Sequence, residues 1–140
     1  MNEDSLPRCV FLFMSHPAMR ASAASFFSRE GIPVLEASNF EDAIRAFKRA
    51  GAPSGLVISD LVLEGAKNPH DLCDTIGNRS DVEVRFLYDP WQYIPPRFRT
   101  AFPIERLIEA PLNHLRLAES IGGKVEWLKE RPALRQLAAA

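Results

Sequence analysis

The sequence has no long hydrophobic run. None of its apolar stretches approaches the roughly 20 residues that a helix needs to cross a bilayer, so no membrane partner is expected. It has no basic start either: Met1-Asn2-Glu3-Asp4-Ser5 is acidic and does not read as a secretory signal. The expectation is a soluble, cytoplasmic protein. Neither sign of charge is in excess. Seventeen Lys and Arg stand against 18 Asp and Glu, a formal net charge of −1, which supplies no general attraction for nucleic acid or anionic lipid. Cysteine is nearly absent. Cys9 and Cys73 each sit beside apolar residues and spell no zinc motif, so they read as reduced, buried thiols. There is no glycine-rich phosphate loop, no nucleophile–base motif and no metal-ligand spacing. An enzyme is therefore not expected. Internal repeats and low-complexity segments are missing as well.

What is present is a core. The chain has 140 residues, of which 46% are hydrophobic, enough for one compact domain and too many for a disordered chain. Short apolar runs alternate with amphipathic stretches. Cys9 to Met14 reads as a strand buried on both faces. Pro17 then opens a helix with Met19, Ala23, Phe26 and Phe27 on one face, and Gly31 ends it. Ile32 to Ala37 is a second strand. Asn39 caps a helix whose first turn carries Glu41 and Asp42, whose stripe is Ala43, Ile44 and Phe47, and which Gly51 closes. Leu56 to Leu61 is a third strand, and its apolar run meets a carboxylate at Asp60. Asn68 and Pro69 start a helix with Leu72, Cys73 and Ile76 inward.

Val82 to Tyr88 is a fourth strand, in which Arg85 fits poorly if both faces are buried. Asp89 to Pro96 holds three prolines, which forbid a regular helix there. Ile104 to Glu109 is a fifth strand. A last helix carries Leu112, Leu115, Ala118 and Ile121, and Gly122-Gly123 is expected to end it. Five strand–helix alternations imply βαβ units, a parallel sheet and right-handed crossovers. In such a sheet the functional crevice lies beyond the carboxyl ends of the strands, where Met14-Ser15-His16, Asp60, Tyr88-Asp89 and Glu109-Ala110 fall.

Leu56-Val57-Ile58-Ser59-Asp60-Leu61-Val62-Leu63-Glu64-Gly65 resembles the phosphoacceptor strand and loop of bacterial response-regulator receiver domains. The similarity covers roughly residues 8–122, leaving 123–140 as a C-terminal extension. It implies a flavodoxin-like (βα)5 receiver fold, a parallel five-stranded sheet in order 2-1-3-4-5, with the helix between the fourth and fifth strands degraded or absent. It places Asp60 at the phosphoacceptor position. The other receiver positions are degenerate. An acidic pair that binds magnesium in the family reads Met14 and Ser15, followed by His16. The Thr or Ser that bonds the phosphoryl group reads Tyr88. The lysine before a proline reads Ala110, before Pro111. A phosphoryl group on Asp60 would lack most of its charge compensation, and magnesium binding is expected to be weak or absent.

The resemblance implies an atypical response regulator, a pseudo-receiver, acting as a stand-alone protein-interaction module in signal transduction. Its partner would be a histidine kinase or another signalling protein. The sequence between residues 90 and 100 is rebuilt with Trp91, Tyr93, Ile94, Arg97, Phe98 and Arg99, residues suited to a partner surface or to packing on the sheet edge. Two alternatives stay open: a phosphoaccepting single-domain response regulator at Asp60, and a nucleotide-sensing domain using Arg97 and Arg99. Asp60 also reads as a strand-end carboxylate capping a loop amide, and His16 as a surface histidine ahead of a helix. The extension, with Val125, Trp127 and Leu128, is expected to pack on its own domain or to supply a homodimer contact.

Overall fold

Five strands pair in one parallel sheet of order β2-β1-β3-β4-β5. In chain order they are β1 (Cys9–Phe13), β2 (Val34–Ala37), β3 (Gly55–Asp60), β4 (Val82–Tyr88) and β5 (Leu107–Glu109). The helices are α1 (Pro17–Arg29), α2 (Phe40–Arg49), α3 (His70–Ile76) and α4 (His114–Lys129). The structure, a computed structural model, describes residues 8–50, 54–61, 63–66, 70–76, 82–88, 107–109 and 114–130. This is the flavodoxin-like topology that the resemblance to receiver domains implied, and the parallel sheet expected from the alternation of strands and helices. The helix expected to be degraded between β4 and β5 lies outside the described residues.

The sheet divides two cores because successive side chains of a strand point to opposite faces. On one face Val10, Leu12, Leu56, Ile58 and Leu87 pack with Ala23 and Phe27 of α1 and with Ile121, Val125 and Leu128 of α4. On the other, Phe11, Phe13, Val57, Val84 and Phe86 pack with Ala43 and Phe47 of α2 and Leu72 and Ile76 of α3. Both faces of β1 are therefore covered, which is why Cys9 to Met14 has no polar alternation. The Phe11 and Phe47 rings meet at 5.3 Å between centroids and tie α2 to the central strand.

Local signals set the helix starts. His16 caps α1 by accepting the Met19 amide proton at its Nδ1, and Asn39 caps α2 by accepting from the Asp42 amide. Gly31, at φ 76°, turns the chain out of α1. Gly55 opens β3 at φ 143°, where a Cβ would collide with the backbone of Cys9. Burial pushes the Cys9 thiol pKa up, so it stays protonated and unreactive at neutral pH.

Three sequence expectations need correction. The first concerns Gly122-Gly123, which do not end the last helix: α4 runs on to Lys129. Ile121, Val125 and Leu128 form one buried stripe against α1 and the sheet. Burying each contributes about 1.5–3 kcal/mol, more than the roughly 1 kcal/mol a helical glycine costs. Second, Ala118 is exposed rather than part of that stripe. Third, β2 begins at Val34, two residues later than the apolar run; Ile32 is buried in the turn that follows α1.

The misfit at Arg85 has a local answer. Glu83 and Arg85 share the α4 face of β4, and Arg85 Nε donates to Glu83 Oε2 at 2.6 Å. Lys124 of α4 meets the other Glu83 oxygen at 2.9 Å. Trp127 packs against the α1–α4 core, with the Arg8 guanidinium 4.2 Å above its ring, and its carbonyl accepts from Arg8 Nη1 at 2.7 Å. The extension, as far as Glu130, thus packs on its own domain.

Candidate functional site

The carboxyl ends of β1 and β3 lie side by side, since Phe13 is in register with Ser59. Ser59 is buried, and its hydroxyl donates to the Asp60 carbonyl at 3.0 Å. The next side chain in the strand, Asp60, turns to the half-exposed sheet end. Leu61 and Leu63 then return to the α2–α3 core, and the Leu61 amide donates to the Leu87 carbonyl at 3.0 Å. Asp60 is thus held between two anchored segments.

Its carboxylate is already engaged. The Ser15 amide donates to Asp60 Oδ2 at 2.8 Å, and the Ser15 hydroxyl donates to the same oxygen at 2.9 Å. One carboxylate oxygen therefore closes the β1–α1 turn with two bonds. Of the readings open for Asp60, the geometry displays the loop-amide cap. Met14, at the other position of the expected acidic pair, is fully buried in the α1–α4 core. Its carbonyl accepts from Arg20 Nη1 at 2.6 Å. His16 is exposed, as read from the sequence, with Nδ1 engaged in capping α1.

Magnesium takes oxygen ligands in near-octahedral geometry, commonly including carboxylates. At the β1 end the chain instead brings a thioether, a hydroxyl bonded to Asp60, and a guanidinium on the nearest carbonyl. Among the described residues, no three His, Cys, Asp or Glu side chains are grouped to hold a metal ion. Tyr88 closes β4, opposite Glu109 of β5, and its side chain lies outside the described residues. So do Ala110 and the whole aromatic–arginine group Trp91, Tyr93, Ile94, Arg97, Phe98 and Arg99.

Next to this site lies a feature that sequence reasoning missed. A groove of about 510 Å³ runs between α1, the end of β2 and α2, lined by Arg20, Glu36, Ser38, Asp42, Arg45 and Arg49 among others. Arg20 connects it to the Asp60 site, because the same guanidinium that holds the Met14 carbonyl reaches Glu36 Oε1 through Nε at 3.3 Å. A signal was available: Arg45 and Arg49 are spaced i, i+4 on α2, one exposed row. Arg20 gave none, since only the crossover connection brings α1 beside β2.

The fold fits a receiver-like domain: a flavodoxin-like parallel sheet, here with an aspartate at the end of β3. No protein-family model and no curated protein sequence matches the chain. Among solved structures it is similar to the crystal structure of the anti-anti-sigma factor PhyR from Bartonella quintana, with a TM-score of 0.61 and 18% identity. The match covers 94% of this chain and 52% of that one, so the chain spans about half the length of the structure it resembles. At that identity the likeness shows the fold. Among the described residues, no helix is long and apolar enough to cross a membrane.

Proposed function

We propose that this chain is a pseudo-receiver: a signalling module that binds other proteins, in which Asp60 clasps a loop and is not an efficient phosphoacceptor. The observation that carries this reading is the pair of bonds from Ser15 to Asp60 Oδ2, at 2.8 and 2.9 Å. Phosphoryl transfer needs an oxygen free to attack in line and positive charge to compensate the phosphoryl oxygens. Here two donors fix Oδ2 to the β1–α1 turn, which leaves Oδ1 as the oxygen to attack. Met14 brings no carboxylate for magnesium, and the position of the receiver lysine is Ala110. Neither magnesium nor catalysis by the chain itself enters this reading. The partner is a histidine kinase or another signalling protein. The PhyR structure supports a partner-binding role to the extent of its name, anti-anti-sigma factor.

The test is incubation of the full chain with acetyl phosphate and magnesium, followed by intact mass measurement. No phosphoryl adduct is expected. A stoichiometric adduct that disappears in Asp60→Asn would replace this reading with a phosphoaccepting response regulator. The triple variant Met14→Asp, Ser15→Asp, Ala110→Lys is a companion: it removes the Ser15 hydroxyl bond but not the amide bond, adds carboxylates and a cation beside Asp60, and, where it folds despite the buried place of Met14, is expected to gain part of the adduct.

A further inference from the structure

We propose that the groove between α1, the β2 edge and α2 docks an acidic, extended segment of a partner protein. This deepens the protein-binding reading and rests on it, by naming a surface other than residues 91–99.

The charges of the groove alternate. Arg20, Arg45 and Arg49 stand among Glu36 and Asp42. A polyphosphate or nucleic acid would meet the two carboxylates as well as the cations, and the chain has a net charge of −1. A segment with spaced carboxylates can meet the arginines and avoid the acids. Among the described residues no aromatic side chain lines the groove, so a nucleobase would find none of them to stack on.

The arginines differ in availability. Arg20 is braced on Met14 and Glu36. Arg45 bonds Glu41 at 3.0 Å and Asp42 at 3.1 Å, in pairs within its own helix that are half exposed or more. Such pairs are worth little in water and exchange readily for a better-placed carboxylate. Arg49 is exposed and has no carboxylate partner among the described residues.

The sheet edge supplies the second argument. Among the described residues β2 ends the sheet, with β1 as its single neighbour. The Val10 amide donates to the Pro33 carbonyl and the Met14 amide to the Ala37 carbonyl. Backbone groups alternate sides along a strand, so Val34 and Glu36 turn theirs away from β1. An extended segment can add to such an edge, with backbone bonds giving affinity and side-chain charges giving specificity. The edge is short and carries the exposed Glu36, features that discourage uncontrolled pairing.

The test is an amide-shift titration of the full chain with a short peptide of alternating Glu and Val, at low salt. Shifts are expected at Val34 to Ser38 and along α2 from Asp42 to Arg49. The double variant Arg45→Gln, Arg49→Glu is expected to keep its melting temperature and to bind the peptide about tenfold more weakly, the sum of two exposed pairs. Shifts elsewhere, equal binding of a Lys–Val peptide, or indifference to the double variant would overturn the groove. ATP shifting these residues where the peptide does not would also overturn it, in favour of a nucleotide site. None of these outcomes touches Asp60, whose reading fails only by acquiring a phosphoryl group.

Discussion

A carboxylate at a strand end can stabilise a fold or strain it, and the sign depends on what faces it. Asp60 faces two donors from Ser15. Removing an acceptor of charge-assisted bonds costs up to a few kcal/mol when buried and less when half exposed. Asp60→Ala is therefore expected to lower stability by about 1–2 kcal/mol, and Asp60→Asn by less, since its amide oxygen still accepts. Had the aspartate been crowded by other carboxylates, its removal would raise stability; thermal denaturation of the two variants reads the sign directly. Gly55 is the second residue whose chemistry is dictated by place. At φ 143° and pressed against the Cys9 backbone, it tolerates no side chain. Gly55→Ala is expected to cost roughly 2–4 kcal/mol through strain and displacement of β1, measured by chemical denaturation.

Among the elements, α4 shows how tertiary burial overrides local preference. Two adjacent glycines disfavour a helix, yet the stripe of Ile121, Val125 and Leu128 holds it continuous against α1. Its carboxyl end is also tied down, by Lys129 to Glu30 at 2.9 Å and by Arg8 to the Trp127 carbonyl. Gly123 is exposed, and a Cβ there would meet nothing. Its glycine serves no packing need, so Gly123→Ala is expected to stabilise the protein by about 0.5–1 kcal/mol. A lower melting temperature for this variant would mean that the helix bends at Gly123 in solution.

For the molecule as a whole, the α4–sheet junction sets part of the acid response. Burial pushes the Glu83 pKa up, but bonds from Lys124 and Arg85 outweigh it and hold the carboxyl below the ordinary glutamate value. The unfolded chain then takes up the proton more readily than the folded one. The stabilisation is complete above the ordinary glutamate range. It is lost as pH falls through the depressed folded value. Glu83 is partly exposed, so the effect is small, on the order of 1 kcal/mol. Glu83→Gln is expected to melt lower than the parent protein at neutral pH, with the gap closing on acidification. A gap independent of pH would show that the ion pairs do not carry it.

The sequence alone determined the alternation of strands and helices and most of both cores, and its resemblance to receiver domains implied the sheet order. Alternation and core depend on periodicity and on caps such as Asn39, which are local. It also placed Asp60 at the end of β3, because the apolar run stops there. Tertiary structure alone decided what Asp60 touches, since Ser15 is 45 residues away and meets it only when β1 and β3 pair. The same holds for Glu83, whose partner Arg85 is local but whose partner Lys124 is not. The arginine groove draws on α1, β2 and α2. Its charges converge only after the crossover has wrapped two helices around the edge strand, and no sequence spacing encodes a convergence that depends on a turn of the whole chain.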